Sequence, residues 1–277
     1  MSLVTIVQLS DLHFGRDVDL EQIRALRTLI PTLAPTAIVI AGDLTQRARY
    51  GELQAALALT DHLRAVAPTL VIPGNHDVQW WASPLGVAGT RLKYRKYRSL
   101  FGESLTPALE LPGLVLASTL TSHGWAVGST TWKFWRDSTV KGHLPAAEVD
   151  RAAAEFERSP ADALRVMVMH HNLLRGQISR RMGLAHWRRA QERVVASGAD
   201  LVLCGHDHQE GAALLADRVV VSTSSTHTAR TRGHRPSAFN VVAAGRDTIS
   251  VTHYLWDCAG GRFGPGAAAR FPRRVRS

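Results

Sequence analysis

Five short groups in this sequence carry side chains able to hold metal ions. They are Asp11 with His13, then Asp43, then Asn75 with His76 and Asp77, then His170 with His171, and last His206 with His208. Each ends or directly follows a run rich in Val, Ile and Leu: TIVQLS, AIVIAG, TLVIPG, RVMVMH and LVLCGH. A single His or Asp at such a place is ordinarily a turn residue bonded to nearby backbone. Five in succession are a different matter. Asp11, His13, Asp43, Asn75, His170, His206 and His208 are enough ligands for two ions. Imidazole, carboxylate and carboxamide without thiolate suit two divalent or trivalent transition-metal ions of the Mn, Fe, Zn or Co kind, rather than an iron–sulfur site or the all-oxygen shell of Ca or Mg. Two such cations ~3.5–4 Å apart, bridged by an aspartate, acidify a bound water and stabilise the entering and leaving oxygens of a displacement at phosphorus.

Residues so far apart in sequence meet only if the chain builds one crevice for them. The five apolar runs read as buried strands. Between them, Leu20 to Leu33, Gly51 to Val66, Pro145 to Phe156 and His186 to Val195 place apolar residues at helical spacing. Alternating strands and helices make an α/β fold, in which ligands collect outside the carboxyl ends of the strands. Gly42, Gly74 and Gly205 precede three of the groups, where the backbone must turn sharply or come close to an ion. Neighbouring side chains at a strand end point to opposite sides, so only one of His170 and His171 is expected to reach a metal. Asp77 and Asp207 read as carboxylates that cap loops or hold ligand imidazoles, not as ligands.

After His208 the runs Arg218 to Ser222, Phe239 to Ala243 and Thr248 to Tyr254 are shorter, with polar turns between them, and suggest a second, more antiparallel sheet. Residues 78–141 are the least regular, as a substrate-covering excursion would be, and hold five of the seven tryptophans (Trp80, Trp81, Trp125, Trp132, Trp135), for which packing is the ordinary reading and base stacking the alternative. We expect one domain over residues 1–258 and a basic, loosely ordered tail over 259–277.

Composition sets outer limits. The start, MSLVTIVQLSDLHFG, has no basic segment leading into a long apolar run, and no apolar stretch approaches the ~20 residues of a membrane span, so the cytoplasm is the expected compartment. Two cysteines, Cys204 and Cys258, are too few for a disulfide framework. The net charge of +10 favours phosphate-bearing partners, and a solvated surface is the ordinary reading of the basic runs.

The blocks Asp11-Leu12-His13, Gly42-Asp43, Gly74-Asn75-His76-Asp77, His170-His171 and Gly205-His206-Asp207-His208 resemble, in order, those of the calcineurin-like metallophosphoesterases. Within that family the DLHFG opening and the GDLT segment look most similar to the bacterial class III cyclic-nucleotide phosphodiesterases. The resemblance implies a four-layer α/β/β/α sandwich of two mixed sheets with a dinuclear metal site at the strand ends. It also implies that Asp11, His13 and His208 hold the first metal, that Asn75, His170 and His206 hold the second, and that Asp43 bridges them. His76 would stand near the leaving-group oxygen as the catalytic residue, with attack by a metal-activated hydroxide. Two features depart from the pattern. Asn172 and Leu173 come after the histidine pair where prolines are common, and Gln46 and Arg47 stand where phosphoprotein phosphatases carry an aspartate and an arginine. His171, Arg175, Arg180 and Arg181 are candidates for substrate contact, because they lie just beyond a ligand-bearing strand end. The expected substrate is a phosphate-ester small molecule such as a nucleotide. A nuclease is less favoured because no added DNA-binding segment comes after the metal blocks, and a non-catalytic metal scaffold because all the ligand candidates and His76 are retained.

Overall fold

The structure of the chain, a computed structural model, describes residues 3–79, 89–124, 141–226 and 233–273. All five apolar runs are strands: β1 (Val4–Leu9), β2 (Ala37–Ala41), β3 (Thr69–Ile72), β6 (Leu164–Val168) and β7 (Leu201–Cys204). The helices α1 (Leu20–Thr32) and α2 (Tyr50–Arg64) cross between β1, β2 and β3, which run parallel. Helix α1 begins where the Asp19 carboxylate accepts from the amides of Glu21 and Gln22, satisfying two donors of the first turn. Its buried residues, Gln22, Leu26 and Ile30, recur every four positions and so form one stripe.

Among the described residues two six-stranded sheets form, one ordered β12-β11-β10-β1-β2-β3 and the other β4-β5-β6-β7-β9-β8. Their remaining strands are β4 (Ala108–Leu111), β5 (Leu114–Ser118), β8 (Gly211–Leu215), β9 (Val219–Thr223), β10 (Ala238–Ala244), β11 (Thr248–Asp257) and β12 (Arg262–Pro272). The sheets face each other across Ile6, Val39, Leu116, Val166, Leu203 and Val242. Outside the first sheet, Leu26, Leu53, Leu59 and Tyr97 from α1, α2 and α4 (Arg95–Phe101) cover Leu9, Ile38 and Ile40. Outside the second, Ala152, Phe156 and Val194 from α5 (Ala146–Arg158) and α6 (Trp187–Ala196) cover Met167 and Val202. Strands apolar on both faces are thereby buried on both faces, which gives the four layers.

Three expectations change. The strands after His208 do not make a sheet of their own, because β10, β11 and β12 extend the first sheet antiparallel from β1 while β8 and β9 join the second. A run's length and alternation reveal a strand but not the edge it pairs with. Residues 262–272 are not a loose tail: β12 pairs with β11 from Asp257↔Arg262 to Thr248↔Pro272, and Phe263 packs into the core against Phe239 and Trp256, so ladder hydrogen bonds and a few apolar side chains together order a segment rich in Gly, Ala and Arg. Within 78–141 the chain is not one excursion, since α3 (Gly89–Lys93), α4, β4 and β5 lie there and β5 is an interior strand beside β6. Trp80, Trp81, Trp125, Trp132 and Trp135 lie outside the described residues.

Candidate metal centre

The carboxyl ends of β1, β2, β3, β6 and β7 converge. Backbone bonds lace their loops together, from Asp11 N–H to Gly42 O and His13 N–H to Asp43 O, each 2.9 Å, and from Gly205 N–H to His170 O, also 2.9 Å. The loops come this close because two glycines leave room. A Cβ on Gly74 would sit 2.2 Å from Asp43 Oδ1, and one on Gly205 would sit 2.5 Å from Asp11 Oδ2. Five of the seven ligand candidates sit in the left-handed backbone region, with φ of 52° at Asp11, 45° at His13, 51° at Asp43, 73° at His206 and 53° at His208. Non-glycine residues there cost of order 1 kcal/mol or more each, and they persist where the surrounding structure dictates them.

All seven side chains meet in two groups that share one carboxylate. Asp11, His13, Asp43 and His208 offer one cluster of ligand atoms, and Asp43, His170 and His206 the other. In the first, His13 Nε2 lies 3.2 Å from His208 Nε2 and 3.6 Å from Asp43 Oδ2, and His208 Nε2 lies 3.6 Å from Asp11 Oδ1. In the second, Asn75 Oδ1 lies 3.0 Å from both His170 Nε2 and His206 Nδ1, and His170 Nε2 is 3.3 Å from Asp43 Oδ2. Ligand atoms each ~2.1 Å from one ion, at angles from about a right angle to about a trigonal one, lie ~3.0–3.6 Å apart. The donor set and its spacing therefore fit two transition-metal ions.

The supporting contacts fix how each ligand points. His170 Nδ1–H donates to Ala41 O at 2.9 Å, which leaves Nε2 facing the cluster. Ser10 Oγ lies 2.6 Å from Asp11 Oδ2, and the His206 amide donates to both Asp11 oxygens at 3.0 Å. The His76 amide donates to Asp43 Oδ1 at 2.8 Å. Asp77 is a loop cap, as expected: it accepts from the amides of Leu44, Thr45 and Gly74 and from Thr45 Oγ1. Ser10, Thr45 and Ala41 O carry little signal in the sequence. Ser10 is flagged only by adjacency to Asp11, and a backbone carbonyl is not flagged at all.

Charge is arranged for a cation. Burial pushes the Asp11 carboxyl up to about 7, with the Asp43 charge adding and His170 partly offsetting. Burial would raise Asp43 too, but the imidazoles of His170, His76 and His13 outweigh it and hold Asp43 well below the carboxylate range. Burial would lower His170, yet Asp43 and then Asp11 outweigh it and raise it to about 9, so the surrounding carboxylates favour positive charge at this point. Burial and the neighbouring imidazoles of His171 and His170 push His206 well below its ordinary value, which keeps it in the neutral, ligating form.

The histidine next to a ligand is held differently in each case. His76 Nδ1–H donates to Gln46 O at 2.8 Å, and its ring meets that of His13 edge-on with centroids 4.7 Å apart. A backbone carbonyl thus orients His76 without the carboxylate that Gln46 displaces. His171 takes its Nδ1 to Thr121 Oγ1 at 2.9 Å and packs its ring 4.4 Å from that of His206. Arg175, Arg180 and Arg181 are exposed on the loop beyond it.

The sequence model for calcineurin-like phosphoesterases matches residues 4–210, which takes in every candidate ligand just described. The chain belongs to the calcineurin-like phosphoesterase family. Enzymes of this family bind two transition-metal ions, and the buried Asp and His cluster of this member is placed to do so. No curated protein matches the sequence. Among solved structures, a dimetal phosphatase from Danio rerio superposes with a TM-score of 0.66 at 11% identity, over 98% of this chain and 99% of that one. The purple acid phosphatase from yellow lupin gives 0.66 at 11% identity, over 98% of this chain and 54% of its own, so the calcineurin-like chain spans about half the lupin enzyme. Vps29 from Entamoeba histolytica gives 0.51 at 11% identity, over 98% of this chain and 100% of that one. These likenesses establish the four-layer fold. Among the described residues no helix is long and apolar enough to cross a membrane.

Proposed function

We propose that this family member is a dinuclear-metal-dependent hydrolase of phosphate esters, with small phosphodiesters such as cyclic nucleotides the first substrates to test. One observation carries the reading: Asp43 Oδ2 lies within 3.6 Å of His13 Nε2 and 3.3 Å of His170 Nε2, so a single carboxylate belongs to both ligand groups. When bound, two transition-metal ions would acidify water and offset charge on the phosphoryl oxygens. Asp11, His13 and His208 would hold one, Asn75, His170 and His206 the other, and Asp43 both. The strained backbone and close-packed loops keep these side chains in place before substrate arrives, which favours electrostatic preorganisation.

His76 has the remaining chemical task. Because its Nδ1–H is committed to Gln46 O, Nε2 is the atom that, in the imidazolium form, would give its proton to the oxygen leaving phosphorus and return the ring to the neutral Nδ1–H form. It sits beside the ligands through Asn75 and His13 without belonging to either ligand group. The retained His76 favours turnover over a metal scaffold that only recruits partners. The test is a panel of Mn-loaded assays on bis-p-nitrophenyl phosphate, p-nitrophenyl phosphate, 2′,3′- and 3′,5′-cyclic nucleotides and single-stranded oligonucleotide. Hydrolysis of the small diesters, lost on chelation, is the expected result. Two tightly bound metals with no turnover on any ester would leave the scaffold instead.

A further inference from the structure

Asn172 occupies a position that the metal ligands do not use, yet it is buried. Its Nδ2 donates to Asp207 Oδ2, and its Oδ1 accepts from the Leu174 amide at 2.9 Å. Asp207 lies between the ligands His206 and His208. One carboxamide thus joins the ligand loop to the start of a small hairpin closed by the Arg175↔Met182 bridge and by bonds between Gly176 and both Arg180 and Arg181.

The rest of the hairpin is held to the same loop. At one foot, a Cβ on Gly176 would lie 2.8 Å from Asp207 Oδ2. At the other, a Cβ on Gly183 would meet the Asn172 backbone at 2.9 Å and His206 Cδ2 at 3.4 Å. At the tip, the Ile178 amide donates to Gln209 Oε1 at 3.1 Å. Three exposed arginines, Arg175, Arg180 and Arg181, ride on this hairpin, and none forms an ion pair among the described residues. Guanidinium groups that form no ion pair among the described residues, on a rim anchored this close to a candidate ligand imidazole, are suited to a second phosphate or carboxylate.

We infer that Asn172 and Asp207 are positioning residues that pin this arginine hairpin against the metal-ligand loop, and that the pinned arginines select phosphoesters bearing a further anionic group away from the scissile phosphorus. The inference rests on the phosphoesterase reading above. Each screened contact adds roughly twofold, so three arginines give about a tenfold preference, which declines with added salt.

The test compares two esters with the same scissile group and leaving group, thymidine 5′-(p-nitrophenyl phosphate) with and without a 3′-phosphate. Both Kd, by calorimetry on Mn-loaded protein, and KM are read. Separately, limited trypsin digestion, with cut sites mapped by mass spectrometry, reports how firmly the hairpin is held. The parent should bind the 3′-phosphorylated ester about tenfold more tightly and resist cleavage after Arg175, Arg180 and Arg181. Asn172→Leu should bring the two esters toward parity and speed those cuts. The exchange variant Asn172→Asp with Asp207→Asn, which rebuilds the bond in the opposite sense, should restore both. Equal affinity of the parent for the two esters, or unchanged digestion in Asn172→Leu at equal metal content, would overturn the inference. If the parent hydrolyses neither ester yet binds the phosphorylated one more tightly, the phosphoesterase reading fails and the selection stands. An unfolded Asn172→Leu leaves the decision to the parent's ester preference and the exchange variant's digestion.

Discussion

Replacing the shared carboxylate, Asp43→Asn, should remove the site as a two-metal centre, and the reason is geometric as well as electrostatic. Asp43 Oδ1 accepts from the His76 amide at 2.8 Å, while Oδ2 faces His13 and His170 at 3.6 and 3.3 Å. An asparagine has one oxygen. If it keeps the His76 bond, its NH₂ points at the ligand cluster and at any cation there; if it turns round, the part-buried His76 amide N–H loses its acceptor, at about 1 kcal/mol. Changing a partner that merely orients a ligand costs about 10–100-fold in metal affinity, so loss of a bridging ligand should exceed about 100-fold. The metal-free variant should report the same change, because the main group raising His170 is gone and the His170 pKa should fall from about 9. Metal content after dialysis against a buffered chelator, with ester turnover alongside, measures the first effect, and NMR titration of His170 measures the second. Two ions held at near-parent affinity would refute the bridging role.

Neighbouring contacts set three further outcomes. His76→Ala should leave metal content intact and lower turnover by roughly 10²–10⁴-fold on ribose or alkyl leaving groups but much less on p-nitrophenol, which hardly requires a proton; a uniform defect would remove the acid role. Metal uptake should compete with protons. With His170 raised to about 9 and Asp11 to about 7, both in their metal-free states, the summed affinity should fall by about tenfold per pH unit from 9 to 7 and more steeply below 7. Calorimetry in buffers of different ionisation enthalpy checks this, and a flat profile from pH 6 to 9 would contradict it. Gly74→Ala would place a Cβ 2.2 Å from both Asp43 N and Oδ1, so it should cost about 1–3 kcal/mol of stability in denaturant titration and weaken metal binding as well. Parent-like values for both would show that the loop yields.

The candidate ligands are legible because buried parallel strands are written as continuous apolar runs, and the residues just past each run land at one edge of the sheet. TIVQLS, AIVIAG, TLVIPG, RVMVMH and LVLCGH could be located with no knowledge of pairing. The partners of those strands were not legible. That β10 pairs with β1, and β9 with β7, depends on packing between distant segments. Strand β12, RFGPGAAARFP, lacks the β-branched alternation that marks a strand, and its order comes from pairing with β11 and from Phe263 in the core. Of the site's supports, Asp77 was visible as a carboxylate beside a ligand, whereas Gln46 acts on His76 through its carbonyl and any residue type would have served. Asn172 stood out in the sequence only as a departure from a pattern; its contact with Asp207 is a fact of the fold.

Seven side chains should hold two metal ions, and both ions should be required for ester hydrolysis. Titrating Mn²⁺ into chelator-stripped parent protein, with bound metal and hydrolysis of bis-p-nitrophenyl phosphate read on the same samples, tests this most directly. Activity should be negligible without metal and reach its plateau at two equivalents per chain. A plateau at one equivalent, or turnover that persists in the stripped protein, would contradict this.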